Sequence, residues 1–183
     1  MPAKTPVIGV FGGSFNPPHL GHLLAAVYAL QQYELDQVWI VPAYGHAFGK
    51  ELLPFSHRKN MCTALFKNMG KKFKVVDIDR QIENPGKTVF TLKALQRQHP
   101  SKRFRWIIGS DLVMETKSWY QVAKIQERFG FLVVPRALGN SKDFAIPNVN
   151  STQIRKALAK KDLVDVITPP VLDYIQRNNL YVR

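Results

Sequence analysis

Short apolar segments alternate along the chain with segments of helical periodicity, and this alternation limits the fold more than any other feature. The predicted strands span residues 7–11, 37–42, 73–78, 104–108 and 130–134. Helices are expected from residue 20 and over 56–69, 88–98 and 118–128, and the part after about residue 150 is expected to be mostly helical. Strands that alternate with helices of this length form βαβ units. We therefore expect an α/β fold with a Rossmann-like, doubly wound parallel sheet and helices on both faces.

Length and composition are typical of one small enzyme domain. The chain has 183 residues, of which 45% are hydrophobic, so it can bury one sizeable core, and we expect a single domain over 1–183. No apolar run approaches the length of a membrane span, and the N-terminus has no apolar segment of a secretion signal. These features predict a cytoplasmic protein without a membrane partner. The single cysteine, Cys62, is expected on a buried helix face with Met61 and Leu65.

The segment after the first predicted strand holds the densest group of candidate site residues. Gly12 and Gly13 predict a turn in which the backbone can approach a ligand closely. The helix from residue 20 places His19 and His22, which are three residues apart, on one face of its first turn. Free N–H groups at a helix N-terminus attract phosphate, and imidazoles can donate hydrogen bonds to phosphoryl oxygens. The pattern therefore predicts a nucleoside triphosphate site with His19 and His22 as catalytic residues.

A second candidate phosphate site lies at residues 149–155. Ser151 or Thr152 is a suitable N-cap for a helix, and Arg155 follows one turn later. Hydroxyls, free N–H groups and a guanidinium can converge there on a phosphate. A Ser-Thr pair before a helix is usually only a cap, so the phosphate interpretation depends on the first motif.

Several segments resemble one family of enzymes. Residues 11–22, FGGSFNPPHLGH, closely resemble the G-G-[ST]-F-[DN]-P-x-H-x-G-H signature of the nucleotidyltransferases related to class I aminoacyl-tRNA synthetases. Residues 149–155 resemble the I-S-S-T-x-I-R element of that superfamily, with Asn150 where a serine is common. Residues 106–111 with Trp119, and residues 88–92, resemble segments of the nicotinate and nicotinamide mononucleotide adenylyltransferases. The similarity to this family extends over nearly the whole chain.

Two departures from the family pattern lie in one segment. Gly86 and Lys87 stand where Ser-Tyr often precedes the threonine, and Phe90 stands in place of an aspartate. They affect the expected geometry of the mononucleotide pocket. Residues 42–59, which include Lys50 and Arg58, resemble the family's substrate loop and the helix after it.

The resemblance implies an enzyme that joins a pyridine mononucleotide to the AMP part of ATP and releases pyrophosphate. It implies ATP or phosphate contacts for Gly12, Gly13, Ser14, Phe15, Gly21, Ser151, Thr152 and Arg155. It implies ribose contacts for Gly109 and Asp111, and mononucleotide contacts for Lys50, Thr88, Trp119, Tyr120 and Arg136. Mg²⁺ is expected to arrive with ATP, because no carboxylate cluster suggests a metal site built by the protein.

Nicotinate mononucleotide is the expected acceptor. A carboxylate requires donors or positive charge, and the expected surroundings offer Thr88, backbone N–H groups near Trp119 and Tyr120, and Lys87. An enzyme that accepts nicotinamide mononucleotide, or both mononucleotides, stays open, as does a pantetheine-phosphate or cytidylyl relative that shares the first motif. The oligomeric state also stays open, and a homo-oligomer is compatible with the sequence.

The formal net charge of +13 predicts anionic partners but does not choose between nucleotides and nucleic acid. Two basic clusters with aromatic residues, 71–74 and 102–105, each precede an apolar run. We interpret them as solvated strand entrances with phenylalanines turned inward, and we expect no nucleic-acid partner. The alternative is a basic nucleic-acid-binding module, which would bind polynucleotides in a salt-dependent way and release no pyrophosphate from ATP.

Overall fold

The computed structural model describes residues 4–45, 52–136, 145–162 and 164–182, and this part of the chain contains one five-stranded parallel sheet. The strands are β1 (Val7–Gly13), β2 (Gln37–Pro42), β3 (Phe73–Val75), β4 (Arg103–Gly109) and β5 (Phe131–Val134). Their order is β3-β2-β1-β4-β5, so the chain first moves outward from β1 and then crosses back to its other side. In such sheets a crevice forms at the carboxyl ends of the strands where the order reverses, which here is between β1 and β4.

Helices cover both faces of the sheet, as the alternation predicts. They are α1 (Leu20–Gln32), α2 (Phe55–Phe66), α3 (Thr88–Gln98), α4 (Val122–Arg128), α5 (Ser151–Lys160) and α6 (Pro169–Arg177). One buried cluster joins α1, α2, α5 and α6 to one face of the sheet, and a second joins α3 and α4 to the other. The side chains of a strand alternate between the two clusters, so Val10 faces α3 while Phe11 faces α1. The predicted doubly wound α/β fold is confirmed.

The helix predicted over 118–128 is wrong in its first part. A 3-10 turn spans Glu115–Ser118, Trp119 is extended, and α4 begins only at Val122. Gln121 has a φ of 55°, in the left-handed region, so a regular helix cannot pass through it. This irregular link places Trp119 and Tyr120 in the wall of the cavity described below.

Smaller differences concern element lengths and the expected core. The third strand ends at Val75 rather than near residue 78, and α2 ends at Phe66 rather than at 69. Cys62 is buried on α2, as predicted, and burial raises the pKa of its thiol. Phe104 is buried and Phe73 stacks on Phe66 at 5.7 Å between ring centroids, so both phenylalanines turn inward. Within the described ranges, no helix combines the length and the apolar character that crossing a bilayer requires.

Candidate active site

A cavity of about 540 Å³ opens at the carboxyl ends of the strands, at the point where the strand order reverses. Its volume lies within the range of pockets that hold small organic ligands. The predicted site residues that line it are Gly12, Gly13, Ser14, His19, His22, Thr88, Gly109, Asp111, Trp119, Tyr120, Arg136 and Ser151. The fold therefore brings residues from five separate segments of the chain to one place.

Four predicted phosphate contacts do not line this cavity, namely Phe15, Gly21, Thr152 and Arg155. The Phe15 ring is buried against Phe11 and His22, with ring centroids 5.6 and 4.9 Å away. A Cβ on Gly21 would lie 3.0 Å from Nδ1 of His19, so the absence of a side chain there makes room for that ring. Lys50, predicted in the mononucleotide site, lies outside the described residues.

The two motif histidines form a stacked pair at the start of α1. Their ring centroids are 3.7 Å apart, and the rings are inclined by 27°. The backbone N–H of His19 donates to Nδ1 of His22 at 3.2 Å. Because Nδ1 accepts this hydrogen bond, the proton of neutral His22 lies on Nε2. This tautomer leaves His22 with an N–H donor for a ligand.

Both histidines are neutral at pH 7. The pKa of His19 is lowered to about 4, mainly by burial and secondly by the nearby Arg136 guanidinium. Burial, followed by the neighbouring His19 and Arg136, holds the pKa of His22 well below 6.5. The pair therefore offers hydrogen bonds without carrying a permanent positive charge.

Gly12 and Gly13 belong to β1 rather than to a turn. They pair with Val41 and Pro42 of β2, and neither has a positive φ. Trp106 of β4 pairs with Val10, and its indole extends along the same sheet face to Gly12. A Cβ on Gly12 would lie 2.2 Å from Cη2 of Trp106. The prediction of a turn is therefore wrong, and the space beside Gly12 is filled by Trp106.

The loop at residues 14–18, which precedes the histidines, is fixed by side chains from distant parts of the chain. The buried guanidinium of Arg58 on α2 donates from Nη1 to the carbonyl oxygens of Ser14 and Ala43, at 2.9 and 2.7 Å. The hydroxyl of Tyr181, near the C-terminus, donates to Oδ1 of Asn16 at 2.7 Å. Arg58, which the family pattern suggested for the substrate loop, thus links that region to the histidine loop.

Helix α5 holds the same loop from the other side. Ser151 Oγ donates to the carbonyl oxygen of Pro17 at 2.9 Å, and Arg155 Nη1 donates to that of Asn16 at 2.8 Å. The predicted N-cap is wrong: Asn150 caps α5 by accepting from the N–H of Gln153 at 2.9 Å, and Ser151 is the first helical residue. The helix start lies at the cavity through Asn150 and Ser151. Arg155 itself acts on the loop, with a second contact of 3.3 Å from Nη2 to Thr152 Oγ1.

The predicted ribose residues lie at the end of β4. The carboxylate of Asp111 folds back over Gly109, since a Cβ on Gly109 would lie 2.2 Å from Asp111 Oδ1. Arg136 packs beside them: its N–H donates to Ser110 Oγ at 2.9 Å, and its Nη2 donates to the carbonyl oxygen of Val149 at 3.0 Å. Its Nε is buried and has no hydrogen-bond partner among the described residues. Arg136 therefore sits between the ribose residues and the histidines.

The remaining wall is aromatic. Trp119 is half-buried and meets Phe131 edge to face, with ring centroids 6.0 Å apart. Tyr120 stacks on Phe90 at 5.7 Å, and Thr88 is the first residue of α3. The backbone N–H of Trp119 already donates to the carbonyl oxygen of Thr116 at 2.9 Å. This N–H is consequently not one of the free donors predicted near the pyridine.

Sequence reasoning missed Asp79, a buried carboxylate in the cavity wall. Its Oδ2 accepts from the N–H groups of Tyr44 and Gly86, at 2.7 and 2.8 Å, and its Oδ1 accepts from Thr91 Oγ1 at 2.8 Å. Asp79 thus joins the loops after β2 and β3 to α3. The signal that could have identified it is its position shortly after the third predicted strand. In the described part of the chain, no three His, Cys, Asp or Glu side chains form a group that could hold a metal ion.

Comparisons with known proteins point to one family. Residues 10–157 match the family model described as cytidylyltransferase-like. The "Probable nicotinate-nucleotide adenylyltransferase" of Anaeromyxobacter dehalogenans is 36% identical over 182 residues, covering 95% of this chain and 96% of the relative. The protein of the same name from Myxococcus xanthus is 36% identical over 178 residues, covering 95% and 94%. The solved structure of Plasmodium falciparum nicotinic acid mononucleotide adenylyltransferase complexed with NaAD superposes with a TM-score of 0.80 and 26% identity, covering 96% of this chain and 97% of that one.

Proposed function

Since the chain belongs to the cytidylyltransferase-like family, among the nicotinate-nucleotide adenylyltransferases, we propose that it joins nicotinate mononucleotide to the AMP part of ATP. The products are deamido-NAD and pyrophosphate. The observation that carries this proposal is the stacked pair of neutral histidines at a helix N-terminus, in one cavity with Trp119 and Thr88. Such a cavity has donors for a triphosphate and an aromatic surface for a pyridine ring.

The reaction needs alignment and charge stabilisation more than a base. An oxygen of the mononucleotide phosphate attacks the α-phosphorus of ATP in line and forms a P–O bond, while the bond to the bridging oxygen breaks and pyrophosphate leaves. The attacking phosphate is already an anion, so no proton has to be removed first. Its position relative to ATP is then the main requirement that the protein must meet.

We assign the phosphoryl contacts to the start of α1 and to the end of β1. The Nε2–H of His22 and a ring N–H of His19 donate to oxygens of the reacting phosphates, where charge develops in the transition state. The backbone from Gly12 to Ser14 and the hydroxyl of Ser151 line the same space. Arg155 contributes by positioning the loop that carries His19, through its contact with Asn16.

The two substrates meet between the ends of β1 and β4. Asp111 supplies carboxylate oxygens for ribose hydroxyls, and Gly109 leaves room for that carboxylate. Trp119 stacks on the pyridine, whose positive charge favours the face of an indole. A Mg²⁺ ion bound to the triphosphate of ATP would neutralise part of its charge. Among the described residues, no three His, Cys, Asp or Glu side chains form a group that could hold such an ion by themselves.

The direct test measures pyrophosphate release from ATP in the presence of nicotinate mononucleotide, nicotinamide mononucleotide, pantetheine phosphate or a polynucleotide. We expect release with nicotinate mononucleotide, a dinucleotide product in the mass spectrum, and a higher kcat/KM than with nicotinamide mononucleotide at saturating ATP. Turnover with pantetheine phosphate alone would assign the chain to another branch of its family. No pyrophosphate release together with salt-dependent polynucleotide binding would favour a nucleic-acid-binding module.

A further inference from the structure

The positive charge of the described cavity wall comes from two side chains. The histidines are neutral at pH 7, which leaves Arg136 and Lys87 as the cations among the described lining residues. Arg136 lies beside the ribose residues and donates to the carbonyl oxygen of Val149. Lys87 lies at the start of α3, directly before Thr88, and therefore belongs to the wall that we assign to the mononucleotide.

The Lys87 ammonium is held in place by an aromatic stack. Its Nζ lies 5.1 Å from the ring centroid of Tyr120. Tyr120 in turn stacks on Phe90 with an angle of 12° between the rings, and the N–H of Phe90 donates to the carbonyl oxygen of Lys87 at 3.0 Å. A cation over an aromatic face is attracted by the ring quadrupole, which limits the freedom of the long side chain. Lys87 is exposed, and this contact keeps its ammonium beside Tyr120, a residue of the cavity wall.

No carboxylate of the described residues forms an ion pair with Lys87. Three acidic side chains line the cavity: Asp79, Asp111 and Glu115. Asp79 already accepts three hydrogen bonds, the Asp111 carboxylate lies over Gly109, and Glu115 is exposed on its 3-10 turn. The Lys87 ammonium therefore retains its donors for an anion that enters the cavity.

We propose that Lys87 is a specificity-determining residue whose ammonium binds the carboxylate of nicotinate mononucleotide. This inference rests on the proposed function. A carboxylate gains a charge-assisted hydrogen bond from the ammonium, whereas a neutral carboxamide gains much less. The 5′-phosphate is a second anion of the same substrate, but nicotinamide mononucleotide also carries it. A comparison of the two mononucleotides consequently separates carboxylate recognition from phosphate recognition.

The experiment compares Lys87→Met, at the N-cap of α3, with Lys93→Met, a control that removes an exposed lysine within α3. Lys93 Nζ lies 5.9 Å from the Phe90 ring, but Lys93 does not line the cavity. At saturating ATP, Lys87→Met should lower kcat/KM for nicotinate mononucleotide about tenfold, chiefly through KM, and change the value for nicotinamide mononucleotide less than about twofold. Lys93→Met should change neither value, and Lys87→Arg should keep most of the preference.

Two results would overturn the role of Lys87 while the wild type remains active. An equal loss with both mononucleotides would mean that the ammonium binds the phosphate, and unchanged kcat/KM values with both would mean that it binds neither group. A wild-type protein that releases no pyrophosphate with either mononucleotide would instead overturn the proposed function. Lys87→Gln, with unfolding temperatures recorded for every variant, separates loss of the charge from loss of the fold.

Discussion

Replacement of Gly12 by alanine should destabilise the fold by about 2–3 kcal/mol, because the new methyl group overlaps the Trp106 indole. The added carbon would lie 2.2 Å from Cη2 and 2.3 Å from Cζ2 of that ring. An ordinary contact between carbon atoms is about 3.5 Å, so the ring or the strand must move by more than ~1 Å. Trp106 is buried in the core on the α3 side of the sheet and also lines the cavity, so close packing resists the movement of its indole on every side except towards the cavity.

Gly13→Ala is the matched control for this prediction. Its Cβ would lie 3.4 Å from the Phe15 ring, which is an ordinary contact, and the position has no positive φ. We expect its free energy of unfolding to stay within about 0.5 kcal/mol of the wild type. Gly12→Ala should lower the Tm by roughly 4–12 °C, since 1 kcal/mol corresponds to about 2–4 °C in a domain of this size. Urea unfolding without substrates measures both variants.

A double-mutant cycle with Trp106→Phe tests the stated cause. Phenylalanine lacks the outer ring atoms that the added methyl group meets, so most of the cost of Gly12→Ala should disappear in that background. The same cost in both backgrounds, or equal costs for Gly12→Ala and Gly13→Ala, would refute the assignment of the clash to the indole.

Three further predictions concern the histidines and α5. His22→Ala, and likewise His19→Ala, should lower kcat about 10²–10³-fold with little change in the Kd for ATP, because hydrogen bonds to developing charge matter most in the transition state. A near-normal kcat in both variants would exclude a catalytic role of the histidines. The pKa of His19 is about 4 in the folded protein and 6.5 in the unfolded chain. Its contribution to the free energy of unfolding is therefore fully present above pH 6.5 and is lost as the pH falls towards 4. Urea unfolding of the free protein from pH 8 to 4 should show this loss, and His19→Gln should reduce the slope. Arg155→Lys should weaken ATP binding, measured by calorimetry, without a change in the unfolding temperature, because one ammonium cannot reproduce the planar contacts to Asn16 and Thr152. An unchanged Kd for ATP would mean that residues 14–18 hold their position without the Arg155 guanidinium.

The architecture could be predicted because strands that are buried on both faces of a sheet are apolar along their whole length, and they stand out in the sequence between amphipathic helices. The helix predicted over 118–128 is wrong in its first part because of a contact between distant residues, which the hydrophobic pattern does not contain. The sequence is compatible with a helix there, but Gln121 adopts a left-handed conformation while Trp119 packs against Phe131 of β5. A contact with a strand that follows later in the chain overrides the local preference, and hydrophobic periodicity cannot report such a contact.

The motifs predicted which segments meet, but not the direction in which each side chain turns. Ser151 and Arg155 come to the histidine loop as their motif suggests, yet Arg155 donates to the Asn16 carbonyl instead of lining the cavity. Asp79 is marked in the sequence only by its position after the third predicted strand, and its role depends on three donors from separate segments. Spacing along a helix or strand defines a face, whereas a hydrogen-bond partner across the fold is defined only by the packed structure.

The protonation state of the two histidines is a further property that the sequence cannot predict, and it determines which hydrogen bonds they can donate to a phosphate. A histidine pair beside phosphates suggests imidazolium groups, but burial and Arg136 keep both rings neutral in the free protein. The donor role survives because the His19 N–H occupies Nδ1 of His22 and leaves the proton on Nε2. In the proposed mechanism, each N–H···O hydrogen bond from the two rings strengthens as negative charge builds on the phosphoryl oxygens. The proposed mechanism therefore requires that the neutral pair bind the ground state moderately and the transition state more strongly, which is the difference that accelerates a reaction.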